Sequence, residues 1–238
     1  MATLYSELDD RLINFISSQP MFFVATAPCL EESGSGGHVN VSPKGYRDTF
    51  AVLDSLTVAY LDLTGSGAET IAHLRQNGRI TIMFCSFDRA PKILRLYGTG
   101  RVIVPEDPSW PEFAGHFPID DNDPQECCGH QDCSREPSDS CGLSDSREPG
   151  DSYEPSGQDA DGPWRRIGTT MDLGNRRAII VTSIDRISDS CGYAVPVMDL
   201  VEERDVLARW AERRSAEDLV DYRIKHNSVS IDGLPALS

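Results

Sequence analysis

The stretch "HVNVSPKG", residues 38–45, contains the signals for a strand and for a candidate site at the end of that strand. Two valines alternate with Asn40 and Ser42, which is the two-residue period of a half-buried strand. Pro43 has no backbone N–H, so we expect it to end the ladder, and Lys44 and a glycine follow at once. Two interpretations stay open. The stretch is either an ordinary exit from a strand into a turn, or a rim of small polar and cationic groups that binds an anion.

The composition limits the class of protein. A chain of 238 residues with 39% hydrophobic content can bury a substantial core. Its net charge of −16 argues against general nucleic-acid binding and against docking on an anionic membrane. The beginning, "MATLYSELDDRLINF", lacks the features of a signal peptide, and no run approaches the roughly 18 apolar residues that span a bilayer. We therefore expect a cytoplasmic protein without nucleic-acid or membrane partners.

One segment differs from the rest of the chain. Residues 119–163 hold thirteen acidic residues and two arginines, a net charge of −11, and almost no hydrophobic residues. Such a segment cannot bury enough surface to offset its ordering entropy, so we predict a disordered insertion in a single domain over residues 1–238. Four of the seven cysteines lie in it beside His130, but their spacing fits no standard zinc finger, and we predict no metal site.

Hydrophobic periodicity predicts the secondary structure of the remainder. Strands are expected at 21–27, 38–42, 49–55, 56–62, 79–87, 92–104 and 176–187, and helices at 3–18, 68–77, 109–117, 200–213 and 215–226. Antiparallel strands joined by short turns predict a closed, mainly β barrel with peripheral helices. In the helix at 68–77 we expect Gly78 to form the C-cap and His73 to lie on the exposed face.

A second motif, "GSGAET" at residues 65–70, follows a strand and opens a helix. It lacks the third glycine of the dinucleotide fingerprint, and no βαβ unit surrounds it. Free backbone N–H groups at the positive end of a helix dipole nevertheless suit a phosphate, although an ordinary helix-entry turn is the alternative. Ser42 and Lys44 should lie near this turn, at the ends of neighbouring strands. Arg95, inside a strand pattern, faces either solvent or a cleft.

Several motifs together resemble a known family. "NVSPKG" at 40–45, "LDLTGSGAETIAHLRQNGRITIMF" at 61–84 and "ILRLYGTGRV" at 93–102 resemble the pyridoxamine 5′-phosphate oxidase-like FMN-binding split-barrel proteins. "SCGYAVPVMDLVEERD" at 190–205 and "SIDGLPAL" at 230–237 are similar to the C-terminal elements of one subgroup. The resemblance covers roughly residues 5–117 and 174–236. It implies a six-stranded antiparallel split barrel, a homodimer, and FMN held at the dimer interface.

The resemblance also implies positions for the cofactor. The segment from Val39 to Lys44 would line the flavin, with Lys44 near the ring or the substrate, and the turn at 65–70 would approach the phosphate. The cofactor-binding candidates are Val39, Asn40, Val41, Ser42, Pro43, Lys44, Leu63, Thr64, Gly65, Ser66, Gly67, Thr70 and Arg95.

The chain departs from the family at one point of this site. The family's enzymes carry an Arg-Lys pair where this chain has Glu69 and Thr70. A phosphate beside Glu69 would be repelled by about 1 kcal/mol or more. The phosphate must therefore rely on backbone N–H groups, Thr70, Lys44 or Arg95, and oxidation of a B6 vitamer is not the expected reaction.

The sequence therefore predicts an FMN-dependent oxidoreductase that acts on an unidentified small molecule. It contains no G-x-S-x-G or HExxH motif and no nucleophile with a matching base, so no catalytic residue is named. This fits a protein in which the cofactor carries out the hydride chemistry. Two alternatives stay open: a reductase that uses the deazaflavin F420, and a non-catalytic protein that binds flavin or haem.

Overall fold

The computed structural model describes residues 3–29, 36–117 and 175–237, and an antiparallel sheet of eight strands dominates them. The strands are β1 (Leu4–Tyr5), β2 (Phe22–Thr26), β3 (Asn40–Lys44), β4 (Phe50–Asp54), β5 (Thr57–Leu63), β6 (Arg79–Cys85), β7 (Ile93–Ile103) and β8 (Arg176–Ser190). They lie in the order β3-β2-β6-β7-β8-β5-β4, and β1 pairs with β8 outside this path. The predicted insertion at 119–163 lies outside the described residues.

The longest strand, β8, organises the sheet. Its fifteen residues pair with β7 on one side and with β5 on the other. Because β8 follows residues 118–174 in sequence while its partners precede them, the segments before and after these residues build one sheet. Strand β5 shows why this sheet is stable. Val58 and Tyr60 enter one hydrophobic core, and Ala59 and Leu61 enter the other, so both faces of the strand are buried.

The mainly antiparallel β architecture with peripheral helices is confirmed, but the predicted number of strands and the closure are wrong. The sheet has eight strands instead of six or seven, partly because Leu4 and Tyr5, which we expected in a helix, pair with β8. In the described part of the chain no ladder joins the edge strands β3 and β4. The sheet still curls, since the rings of Phe22 on β2 and Phe50 on β4 lie 4.9 Å apart.

Pro43 does not end β3, which corrects a second expectation. The strand continues through Pro43, opposite Phe23, to Lys44, opposite Phe22. A proline is tolerated because β3 is an edge strand, where a missing N–H on the outer side costs no ladder bond. The consequence is that Lys44 is held by the sheet and does not belong to a loose turn.

Helices pack against both faces of the sheet, since helical residues enter each of the two hydrophobic cores. They are α1 (Asp10–Ser18), α2 (Glu69–Asn77), α3 (Trp110–Ala114), α4 (Val206–Glu212) and α5 (Ala216–His226). Helices α1 and α4 are shorter than predicted, because Asp9 caps α1 and because 200–205 is not helical. Helix α2 ends at Gly78 in a left-handed conformation, as expected, but His73 is fully buried, contrary to expectation. None of the described helices has the length and apolar character needed to cross a membrane.

Candidate functional site

A cavity of about 290 Å³ opens where β3 and β5 end and α2 begins. Apolar side chains, hydroxyl groups and two cations share its walls. The lining residues are Ser42, Pro43, Lys44, Gly45, Tyr46, Thr49, Leu61, Leu63, Gly65, Ser66, Gly67, Glu69, Thr70, Arg177 and Leu207. The two sequence motifs that we singled out separately therefore meet at one place.

A buried carboxylate organises the cations of this cavity. Asp62 on β5 is fully buried, and its two oxygens accept hydrogen bonds from Lys44 Nζ and Arg177 Nε, each at 2.8 Å. Burial alone would raise the pKa of Asp62, but the charges and hydrogen bonds of Arg177 and Lys44 outweigh it and lower the pKa to about 2. Two cations around one carboxylate leave one positive charge at the cavity wall.

The turn that opens α2 is fixed from the C-terminal part of the chain. The carbonyl oxygen of Gly65 accepts hydrogen bonds from Asn227 Nδ2 at 2.9 Å and from an Arg177 terminal nitrogen at 3.3 Å. The Thr64 hydroxyl donates to the Asn175 carbonyl and accepts from Arg223 Nε at 2.9 Å. The turn is thus rigidly held before any ligand arrives.

The start of α2 itself offers backbone donors. Its N-cap residue is Ala68, whose side chain cannot cap, so the first N–H groups of the helix are not satisfied by a side chain from that position. Glu69 lines the same cavity, and one of its oxygens accepts a weak hydrogen bond from the Ile231 backbone N–H at 3.4 Å. An anion is therefore favoured on the side of Lys44 and Arg177 and disfavoured on the side of Glu69.

A polar network runs from the cavity into the interior. Ser42 Oγ donates to Asn40 Oδ1 at 3.2 Å, and Asn40 Nδ2 lies 3.0 Å from Thr70 Oγ1 and 3.2 Å from Thr26 Oγ1. Thr26 Oγ1 in turn lies 3.0 Å from Nδ1 of the buried His73. Burial lowers the pKa of His73, so the ring is neutral at pH 7. The network orients the hydroxyls of Ser42 and Thr70, which are two of the hydroxyl residues that line the cavity.

Eight of the thirteen candidate residues line the cavity: Ser42, Pro43, Lys44, Leu63, Gly65, Ser66, Gly67 and Thr70. Asn40 and Thr64 lie behind the wall and support it through the hydrogen bonds described above. Val39 and Val41 face outward, with 72% and 62% of their surface exposed. Arg95 lies elsewhere on the sheet, where it donates to Ser190 Oγ on β8 at 3.1 Å.

The sequence analysis missed several lining residues. Arg177 is the most important of them, and it was missed because its partner Asp62 is 115 positions away in the sequence. The adjacent arginines at the start of the last predicted strand were the available signal, but nothing in the sequence pairs them with Asp62. Tyr46 belongs to no sequence motif. In the structure it is the only non-glycine residue with a positive φ in the described part of the chain.

No group of metal-ligating side chains occurs among the described residues, and Cys127, Cys128, Cys133 and Cys141 lie outside them.

Comparison with known proteins shows to which protein family the chain is related. A family model described as pyridoxamine 5′-phosphate oxidase matches residues 8–125. The pyridoxamine 5′-phosphate oxidase family protein ustO of Aspergillus flavus is 36% identical over 251 residues, which cover all of this chain and 78% of that protein. The chain belongs to the pyridoxamine 5′-phosphate oxidase family. The resemblance seen in the motifs is thereby confirmed.

Solved structures give more distant matches to this member of the pyridoxamine 5′-phosphate oxidase family. HupZ of Group A Streptococcus is 16% identical, and the match covers 76% of this chain and 91% of that chain with a TM-score of 0.40. A protein of Lactobacillus delbrueckii described as a putative pyridoxamine 5′-phosphate oxidase is 12% identical, with coverages of 77% and 94% and a TM-score of 0.40.

Proposed function

We propose that the cavity at the end of β3 holds FMN and that the protein is an FMN-dependent oxidoreductase acting on a small molecule. The observation that supports the proposal most is that Lys44, Arg177 and the turn that opens α2 line the same cavity, in a chain that belongs to this family. A cation pair held by a buried carboxylate, next to helix-entry N–H groups that the N-cap side chain does not satisfy, suits a phosphate monoester.

The lining chemistry fits a flavin as well as a phosphate. Leu61, Leu63 and Leu207 supply apolar walls for a ring system, and Ser42 and Thr70 supply hydroxyls whose direction the interior network fixes. The volume of about 290 Å³ lies near the lower end of the range for small-molecule pockets. This size favours a cavity that a second subunit completes, and we extend the proposal to a homodimer with the cofactor at the interface.

Each residue has a defined task in this proposal. FMN, when bound, supplies the hydride chemistry. Asp62 holds the Lys44 ammonium and the Arg177 guanidinium in fixed positions, so the anion meets preorganised donors. Leu61, Leu63 and Leu207 keep water from one face of the cavity. The carboxylate of Glu69 directs the phosphate toward Lys44 and away from its own side of the cavity.

The experiment is a flavin titration with a charge-matched control. Ser66 is exposed in the helix-entry turn and lines the cavity, whereas Ser17 is exposed on α1 and does not line it. Ser66→Glu should weaken FMN binding at least tenfold, since a carboxylate would face the phosphate, and Ser17→Glu should leave the dissociation constant unchanged. Equal affinities in both variants would show that the anion does not lie at this turn.

The absorbance spectrum of the purified protein separates the alternatives. A flavin spectrum that bleaches with NAD(P)H supports the oxidoreductase, and a flavin spectrum inert to reductants supports a flavin-binding protein without catalysis. A deazaflavin absorbs near the blue edge of the visible range and a haem gives a Soret band, and either result would overturn FMN as the cofactor. In the described part of the chain no histidine, cysteine or methionine lines the cavity, and the hydroxyl of the lining Tyr46 already donates to the Arg204 carbonyl, which favours flavin over haem.

A further inference from the structure

A second cavity of about 530 Å³ adjoins the first one, and the two share Gly45 and Tyr46 as lining residues. Its walls are mostly apolar. Pro20, Met21, Phe87, Met198 and Leu200 contribute the side chains. Because the two cavities share these lining residues, a molecule bound in the second cavity would lie beside a flavin bound in the first.

Tyr46 stands at the junction in a conformation that costs energy. Its φ of 63° and ψ of 102° lie outside the regions that side chains other than glycine favour. The surrounding hydrogen bonds hold it there: the Tyr46 hydroxyl donates to the Arg204 carbonyl at 2.6 Å, and the Tyr46 carbonyl accepts from the Thr49 N–H at 3.0 Å and the Thr49 hydroxyl at 2.7 Å. Strained residues of this kind concentrate at functional sites, where a wall must stay in one place.

The opposite wall is also fixed. The backbone N–H of Met198 donates to the Phe87 carbonyl at 2.9 Å, which ties the segment after β8 to the loop after β6. Met198 and Leu200 remain 52% and 42% exposed, although both side chains border the cavity. The backbone of Met198 is therefore held in place by a hydrogen bond, and both apolar side chains are available to a ligand.

The charges at the cavity select the ligand. Asp199, Glu203 and Arg204 are the charged lining residues, which gives two carboxylates and one guanidinium. Burial, together with the negative charges of Glu203 and Asp205, raises the pKa of the Tyr46 hydroxyl, which therefore stays neutral at pH 7. An anionic ligand meets repulsion here, whereas a neutral or cationic ligand does not.

We propose that this cavity is the substrate pocket and that it takes an apolar molecule that is uncharged or cationic. The proposal rests on the proposed function, since it makes the neighbouring flavin the reaction partner. It also predicts discrimination against phosphate esters and carboxylates. The pocket of this chain would thus reject the phosphate-bearing B6 vitamer after which the family is named.

The test uses the FMN-loaded protein and three naphthalene probes of similar shape: 1-naphthylmethylamine as a cation, 1-naphthol as a neutral molecule, and naphthalene-1-sulfonate as an anion. Each is titrated against the flavin absorption band, which shifts when an aromatic molecule binds beside it. We expect the cation and the neutral probe to bind at least about tenfold more tightly than the sulfonate. Equal affinity for the sulfonate would overturn the charge selection.

Two matched pairs of variants locate the binding. Leu200→Ser should weaken the neutral probe about fivefold or more, while Val201→Ser, at a neighbouring residue that is 92% exposed and does not line the cavity, should not. Glu203→Gln should reduce the preference for the cation over the sulfonate severalfold, and Glu202→Gln should leave it unchanged. Probe binding that ignores both Leu200→Ser and Glu203→Gln would overturn the pocket.

An FMN titration on the same proteins separates the two proposals. If the wild type binds FMN but the probes show no selectivity, only the substrate pocket is wrong. If the wild type does not bind FMN, the proposed function is wrong, and the assignment of the second cavity to a substrate falls with it.

Discussion

At the scale of single residues, Asp62 determines the electrostatics of the candidate site. In sequence it is an acid inside an apolar strand, and alternation alone does not distinguish a solvent-facing carboxylate from a buried one. The fold buries it completely because Lys44 from β3 and Arg177 from β8 reach its two oxygens. A buried charge is tolerated when such partners compensate for its desolvation.

Because of this arrangement, part of the free energy of unfolding depends on pH. The pKa of Asp62 is about 2 in the folded state and about 3.8 when unperturbed, so ionised Asp62 stabilises the fold above about pH 4. The stabilisation, about 2 kcal/mol, should disappear as the pH falls from about 4 to about 2. Urea unfolding between pH 2 and 6 should show a loss of stability that is larger in the wild type than in Asp62→Asn by about 2 kcal/mol, since the other carboxylates with lowered pKa values titrate in both proteins.

The control for this prediction is Asp48→Asn, since Asp48 is exposed and has no such partners among the described residues. Its pH dependence should follow that of the wild type. Asp62→Asn should in addition lower the stability at pH 7 by about 3–5 kcal/mol, because two cations then share a site without their carboxylate. Parallel pH profiles for all three proteins would contradict the assigned role of Asp62.

At the scale of elements, helix α2 carries a conflict between stability and binding. Glu69 in its first turn interacts favourably with the helix dipole, but the same carboxylate lines the proposed phosphate site. In this chain the helix start is the feature that Glu69 favours. The proposed phosphate site is weaker as a consequence.

Glu69→Lys tests this conflict directly. The exchange should destabilise α2 by about 0.3–1 kcal/mol, because a cation replaces an anion at the positive end of the dipole. It should tighten FMN binding about fivefold or more, because repulsion of the phosphate becomes attraction. Glu112→Lys, in the first turn of α3 and outside the cavity, should leave FMN affinity unchanged. Weaker FMN binding by Glu69→Lys would contradict the placement of the phosphate.

The contact between β7 and β8 depends on a glycine. A Cβ atom at Gly98 would lie 2.0 Å from the Ser183 carbonyl oxygen, at the point where the β7–β8 register shifts. Backbone cannot yield as a flexible side chain can, so Gly98→Ala should cost about 3 kcal/mol or more in the free energy of unfolding. Gly115→Ala meets ordinary contacts of 3.6 Å and should change it little. Denaturant unfolding compares the two variants, and equal stabilities would show that the strands can separate at Gly98 without cost.

The elements also show what the sequence could predict. Local signals sufficed for most strands and for α2 with its Gly78 cap, because periodicity and capping act over a few residues. They failed where distant partners decide. Leu4 and Tyr5 fit a helical pattern but pair with β8, and His73 is buried because Thr26 on β2 supplies a partner. For the same reason half of the site could be found from two motifs, while Arg177 could not.

At the scale of the whole molecule, the composition of the predicted insertion leads to a deletion prediction. Residues 119–163 carry a net charge of −11 and almost no hydrophobic residues, so they have little apolar surface to add to the two described hydrophobic clusters. Deletion of residues 119–163 should therefore change the melting temperature by no more than about 2 °C and leave FMN affinity unchanged. Differential scanning calorimetry and flavin titration check this. A large fall in melting temperature, or zinc bound in stoichiometric amount by the full chain, would contradict the prediction.

The outward-facing side chains of Val39 and Val41 are relevant to the oligomeric state of the protein. Val39 and Val41 are exposed on or beside an edge strand whose outer hydrogen-bonding groups have no strand partner in the described residues. Exposed apolar edge strands are either protected or covered by another chain. The family resemblance implied that both valines contact the flavin. In the single chain, however, their side chains point away from the cavity. The proposed second subunit would resolve the discrepancy, because it would bring the outer face of β3 to the interface that is proposed to complete the cofactor site.

The mass in solution tests this argument. A homodimer of the 26.2 kDa chain should scatter light as a particle of about 52 kDa. Val41→Lys should shift it toward the monomer, since a charge would be buried at the interface, and should weaken FMN binding in parallel because the site loses its second wall. Val220→Lys, on the exposed side of α5, is the matched control and should remain a dimer with unchanged FMN affinity. A monomeric wild type with FMN still bound would show that one chain suffices and that the valines of β3 serve another contact.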